Sequence, residues 1–126
     1  MANNKNFPLL RDPYESEVNF FKENPNVAGM ATEDERVIFN PYSKVHPEHS
    51  ENIYKNEASR IFMKKSGFTP RFDLTPEQIE LFKEYGDLDD IRQTIAARAL
   101  SGDESSGKLT KDQIEFVNKL KKKMGY

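Results

Sequence analysis

Leu74-Thr75-Pro76-Glu77-Gln78-Ile79-Glu80-Leu81-Phe82 reads as a helix start. Thr75 can cap the first turn, Pro76 has the fixed φ that the first helical position tolerates, and Gln78 stands where a side chain reaches back to the cap N–H. Ile79, Phe82 and Tyr85 follow at helical spacing as a buried face, and Gly86 ends the helix. At an offset of 35 residues the pattern returns as Leu109-Thr110-Lys111-Asp112-Gln113-Ile114-Glu115-Phe116-Val117. The offset suits a helix-pair repeat, but two copies fall short of the three or so that a solenoid needs, and the segments between them differ. Independent use of the same good helix start is the preferred reading. The second copy opens the last helix, whose stripe is Ile114, Val117, Leu120 and Met124.

Working outward, Asp87 or Asp89 caps a helix carrying Leu88, Ile91, Ile95 and Ala99, which stops at Gly102 before a loop of small and acidic residues. Residues 47–65 form another helix, with Tyr54, Ala58, Ile61 and Phe62 on one stripe and Gly67 as its stop. Earlier, Val27–Ala31 and Arg36–Asn40 are β-like runs joined by Thr32-Glu33-Asp34-Glu35, which suggests a hairpin. A lone hairpin is marginal in water, so it must pack on helices or pair at an edge. Asp12-Pro13 reads as a cap and first position for a helix carrying Tyr14, Val18 and Phe21, ended by Asn24-Pro25-Asn26. Residues 1–11 form a flexible N-terminal arm whose Phe7, Leu9 and Leu10 lie over the domain or reach a neighbour. The expectation is a mainly α (α+β) fold: about five helices in a small bundle, a hairpin at 27–40 and a single domain over 12–126.

The chain has 126 residues, room for one ordinary domain. Its residues are 36% hydrophobic and 32% charged, with a mean hydropathy of −0.83, so the core must be small and rely on nine Phe and five Tyr. No apolar run approaches the roughly 20 residues of a membrane helix, and the first residues lack the apolar stretch of a secretory signal. Neither a membrane-spanning nor a signal-directed secreted location is expected. The absence of cysteine excludes disulfides, thiol catalysis and cysteine-ligated metals. The net charge of −2 argues against a general nucleic-acid binder. That charge is segregated: residues 73–90 carry seven acids against Lys83, a net of −6, and residues 108–126 carry six lysines against Asp112 and Glu115, a net of +4. Acids at helix starts and bases at a helix end suit the helix dipole, and such segregation also steers partners.

Candidate chemistry is sparse. His46 and His49 flank Pro47-Glu48 at i, i+3 and could hold a metal with Glu48 or Glu51, but no third convergent ligand is visible. Asn56-Glu57-Ala58-Ser59-Arg60 lacks the two histidines of a zincin helix, leaving Glu57 and Arg60 as a helical ion pair. Asp103-Glu104-Ser105-Ser106-Gly107-Lys108-Leu109-Thr110 resembles a calcium-binding EF-hand loop. With Gly107 at loop position 6, however, Gly102 takes position 1 and Gln113 takes position 12, so the first carboxylate and the bidentate Glu are missing. A plain helix-to-helix loop is expected, and no cofactor or metal is assigned. Arg98 lies beside an apolar stripe, where it snorkels toward a carboxylate or contacts an oxyanion. Lys119 and Lys122 belong to a Lys-rich helix end without stacking aromatics, so nucleic acid is a lesser alternative. The candidate partner-binding residues are Phe7, Leu9, Leu10, Arg98, Lys119 and Lys122.

Three further strings extend the comparison beyond composition. They are Asn24-Pro25-x-Val27-Ala28-Gly29-Met30-Ala31-Thr32-Glu33-Asp34 with Val37-Ile38-x-Asn40-Pro41-Tyr42-Ser43, then Asn56-Glu57-Ala58-x-Arg60, then Ile91-Arg92-x-Thr94-Ile95-Ala96-Ala97-Arg98-x-Leu100-Ser101-Gly102-Asp103. They resemble a group of small, uncharacterised proteins encoded by tailed bacteriophages, over most of the chain from about residue 14 onward. The resemblance implies a phage setting, in a virion or the host cytoplasm, and transfers no catalytic residue. The function expected is therefore a non-enzymatic protein–protein interaction or structural component, a bacteriophage virion or accessory protein binding virion proteins or copies of itself. The alternatives are a small metal-dependent enzyme or ion-binding module using His46, His49 and nearby carboxylates, and nucleic-acid binding through the last helix.

Overall fold

The computed structural model describes residues 7–44 and 49–126. The chain clusters into two compact units, Met1–Ile61 and Phe62–Tyr126. The described residues are mainly helical, with five α-helices and one antiparallel hairpin.

In the first unit, α1 (Glu15–Glu23) starts later than Asp12-Pro13 suggested, with Tyr14 as its N-cap. Glu17 sets that boundary, because its carboxylate accepts the Tyr14 N–H at 2.8 Å. Phe21 is the buried residue of this helix, and Tyr14, expected in the same stripe, is exposed beneath the Arg11 guanidinium, 4.0 Å above its ring. The hairpin pairs β1 (Gly29–Ala31) with β2 (Val37–Phe39) in the register Gly29↔Phe39, Met30↔Ile38 and Ala31↔Val37. Thr32 organises its turn, donating its N–H to Arg36 O at 2.8 Å, while Glu35 takes a left-handed φ of 60°. Gly29 must be small: a Cβ there would lie 2.6 Å from Ile53 Cγ2. Asn40 is buried with its amide satisfied, donating to Val27 O at 2.6 Å and accepting the Tyr42 N–H at 2.7 Å.

Helix α2 (Ser50–Ser66) gives Tyr54, Ala58 and Ile61 to the first unit and Met63 to the second, where Met63 is fully buried with Ala96, Ala97, Leu100, Val117 and Leu120. The expected start of this helix at Pro47 lies outside the described residues. Its end at Gly67, with φ 75°, is as the sequence indicates.

The second unit is built from the two recurring helix starts. Thr75 caps α3 (Pro76–Leu81) and Thr110 caps α5 (Lys111–Met124), each with its Gln in the reciprocal box. The two glutamines meet. Gln78 Nε2 donates to Gln113 Oε1 and Gln113 Nε2 donates to Gln78 Oε1, both at 2.8 Å, and Gln113 Nε2 also donates to Asp73 O at 3.0 Å. The recurrence at offset 35, read as two independent starts, thus marks two ends held face to face.

This pair corrects the expected faces. Turning Gln78 and Gln113 inward brings Phe82 with the first, and Val117 and Leu120 with the second, at the i+4 and i+7 places. Ile79 and Ile114, one residue further round, are displaced to 38% and 47% exposure. Helix α3 also stops short of Gly86, giving way to a 3₁₀ turn at Lys83–Tyr85. Asp87, rather than Asp89, caps α4 (Leu88–Leu100), which buries Ile91, Thr94, Ile95, Ala96, Ala97 and Leu100 and leaves Leu88 and Ala99 outside that set.

Candidate interaction surfaces

The described part of the arm is laid on the hairpin. Val37 N–H donates to Leu9 O at 3.0 Å and Arg11 N–H to Val37 O at 3.1 Å, a parallel bridge that covers the outer edge of β2. Leu10 is 5% exposed, Phe7 packs its ring 4.9 Å from that of Tyr54, and Leu9 donates its N–H to the Tyr54 hydroxyl at 3.1 Å. The hairpin thus finds an edge partner at Val37 in this chain's own residues 9–11. On the opposite strand, the Ala31 N–H is satisfied by the Glu57 carboxylate, whose burial pushes its pKa up against the pull of nearby Arg60. Arg60 itself donates to Asn56 Oδ1 at 3.0 Å.

Arg11 is a hub that sequence reading did not single out. Its guanidinium donates to both Glu17 oxygens, at 2.7 and 2.9 Å, and to both Asp34 oxygens at 3.1 Å. It joins the arm, the start of α1 and the hairpin turn through paired bidentate contacts, the geometry at which Arg excels. The Arg11 side-chain hydrogen bonds hold Glu17 below its ordinary value of 4.5 and take Asp34 from 3.8 to about 2. Both carboxyls have folded pKa values below their unfolded ones, so their contribution is complete above pH ~4.5 and is lost as pH falls through the folded values. Glu57 has the opposite sign: its penalty is present when it is ionised and lifts on acidification. Thermal melts of the first unit are expected to change little or rise slightly from pH 7 to about 5, then fall steeply toward pH 2. Arg11→Gln should flatten the acid fall, and an unchanged fall would remove Arg11 from its cause.

The other named residues are dispersed. Arg98 Nη1 donates to Ser105 Oγ at 3.0 Å and Nη2 to the Tyr85 hydroxyl at 2.7 Å, and its charge helps to lower the Asp103 carboxyl. The guanidinium also stands 5.1 and 5.2 Å from the ring centres of Phe82 and Tyr85. Lys119 and Lys122 are exposed on α5, and Lys123 lies 4.9 Å from the Phe68 ring centre. His49 is exposed, and His46 lies outside the described residues, as does Glu48. Among the described residues no group of three or more metal-ligating side chains converges. Gln113, at the place of the bidentate EF-hand ligand, is committed to Gln78. No helix among the described residues is long and apolar enough to cross a membrane.

What the sequence reading missed is the corner between α3 and α4. Ile79, Leu81, Tyr85 and Leu88 fall within ten residues and are 38%, 56%, 51% and 47% exposed. Along the same stretch Glu80, Glu84, Asp87 and Asp89 are also exposed, so exposed apolar and acidic side chains alternate through it. Arg98 fixes one member through the Tyr85 hydroxyl. Comparison with known proteins adds no name to this surface. No family model, curated protein or solved structure matches the chain. The signal available in sequence was the repeated Gln, a polar residue at the same place in both helix starts, whose burial turns the neighbouring Ile outward.

Proposed function

We propose that the protein is a non-enzymatic interaction component, a virion or accessory part of a tailed bacteriophage, that docks on a protein partner through the α3–α4 corner. The observation that carries the reading is four large apolar side chains left exposed within ten residues of an otherwise polar chain. Scattered exposed apolar residues are ordinary, whereas a concentrated group beside polar ones is the anatomy of an interface. The interspersed carboxylates favour a partner with basic residues beside an apolar plug, and steer its approach. The resemblance of residues 24–43, 56–60 and 91–103 to phage proteins supports the setting.

The test is pairwise binding of the full chain to the purified products of the genes flanking its own. One of them is expected to bind with micromolar or tighter Kd. Leu81→Asp combined with Leu88→Asp should weaken that binding by tenfold or more at unchanged melting temperature, as expected of central interface residues. Binding unaffected by the double substitution, or no binding by any flanking product, would refute the assignment.

A further inference from the structure

We infer that the second unit binds the phosphate backbone of a nucleic-acid duplex, on the surface where the end of α2 and the segment after it pack against the second half of α5. The inference is independent of the α3–α4 corner. Every Asp and Glu of this unit falls within residues 73–115. Residues 62–72 carry Lys64, Lys65 and Arg71 and no acid, and residues 116–126 carry Lys119, Lys121, Lys122 and Lys123 and no acid. The fold joins these two stretches. Met63 and Leu120 are buried in one cluster. Phe116 stacks on Phe68 with 4.8 Å between ring centres and meets Phe72 edge-on at 5.7 Å. The Lys123 ammonium stands 4.9 Å from the centre of the Phe68 ring. The bases stay outside these contacts: all are exposed except Lys121, which is half-buried.

Lysines in the last turns of α2 and α5 suit the helix dipoles. The two negative helix ends together amount to about one elementary charge, however, against seven positive side chains, and Arg71 and Lys119 lie outside those turns. The excess selects a polyanion, and the rest of the surface selects its kind. Protein interfaces centre on apolar side chains and favour Arg over Lys, whereas six of these seven cations are Lys. Among the described residues, Tyr126 is the only large apolar side chain exposed in either stretch, which leaves little to anchor a protein or a lipid surface. Phosphate needs no such anchor, because lysine ammonium groups bind a duplex by releasing the counterions condensed on it. The half-buried Phe68 ring is engaged by Phe116 and Lys123, so it does not offer a base the stacking platform that single-strand binders use. Binding therefore reads backbone charge and not sequence. The net charge of −2 averages over this segregation and keeps the affinity modest.

The test is fluorescence anisotropy of a labelled DNA duplex of about 20 base pairs, titrated with the full chain between about 50 and 200 mM NaCl. A Kd of about 1–10 µM is expected at the lowest salt, and the logarithm of the association constant should fall with that of salt at a slope of about −4, as for about four or five neutralised phosphates. Two duplexes of unrelated sequence should bind within about twofold of each other. Lys119→Gln with Lys122→Gln, and separately Lys64→Gln with Lys65→Gln, should each weaken binding by about tenfold or more at the lowest salt and make the slope shallower by about 2, at unchanged melting temperature. If the second pair lowers the melting temperature, Lys64→Gln alone decides, with a slope shallower by about 1. Lys83→Gln, outside both stretches, should change neither quantity. Polyglutamate should compete about tenfold more weakly than unlabelled duplex at equal charge concentration. No binding at the lowest salt, a slope shallower than about −2, about tenfold preference for one sequence, or wild-type affinity in the α5 pair or in the deciding α2 variant would overturn the proposal. Polyglutamate competing as well as DNA would also overturn it, by assigning the surface to an acidic protein.

Discussion

Replacing Gln113 by alanine is expected to cost the second unit about 3–4 kcal/mol, comparable to the whole stability that a core of this size supplies. The side chain is 0% exposed and makes four contacts: it accepts from Gln78 Nε2 and from the Thr110 N–H, and donates to Gln78 Oε1 and Asp73 O. Alanine leaves Gln78 Nε2 buried without its acceptor, while Gln78 Oε1 keeps only the Thr75 N–H, opens a cavity, and loses half of a capping box. Each unsatisfied buried group costs about 1–3 kcal/mol, and these costs do not simply add. The informative control is the double variant Gln78→Leu with Gln113→Leu. Replacing both by apolar groups of similar size removes the orphaned amide but leaves the Thr75 and Thr110 N–H groups and Asp73 O without their glutamine partners, so the pair should recover part of the loss, with a coupling of about 2 kcal/mol. Urea unfolding of the full chain, followed at amide signals of residues 88–124, measures both. A Gln113→Ala cost below ~1 kcal/mol would mean the amide pair contributes little.

Removing residues 1–11 is the second large effect. The truncation takes Leu10 out of the first core and deletes both backbone bonds to Val37 and all of the Arg11 ion pairing. Loss of a buried Leu side chain alone costs about 2–5 kcal/mol. For a unit of this size each kcal/mol moves the midpoint by roughly 4–8 °C, so a fall of 10 °C or more is expected. A truncated chain that melts as the intact one does would restore the arm as a free docking segment. Leu10→Ala separates core loss from loss of the strand pairing, and should account for most of the fall.

The sequence was legible where chemistry is local. Thr75, Asp87 and Thr110 cap the helices expected of them, Gly67 ends α2, and the hairpin pairs as its β-like runs indicate. These features are written within three or four residues and depend on backbone donors and allowed φ values. Which face turns inward was not legible at α3 and α5. Periodicity favoured Ile79 and Ile114 as core, but a polar side chain can take the inward place when a distant amide completes it, and Gln78 and Gln113 are 35 residues apart. Arg11 was hidden for the same reason, since Glu17 and Asp34 lie at different sequence distances and converge only through the fold. The apolar corner follows from the first of these: once Gln78 turns in, Ile79 joins Leu81, Tyr85 and Leu88 outside. Distant pairing thus moved both the core and the candidate interface.

The most direct measurement is hydrogen–deuterium exchange of the full chain alone and saturated with the flanking-gene product that binds it. The account predicts new protection concentrated on residues 79–88, with residues 7–11 already protected in the free chain. Protection falling on 7–11 or on α5, with 79–88 exchanging as in the free chain, would contradict it.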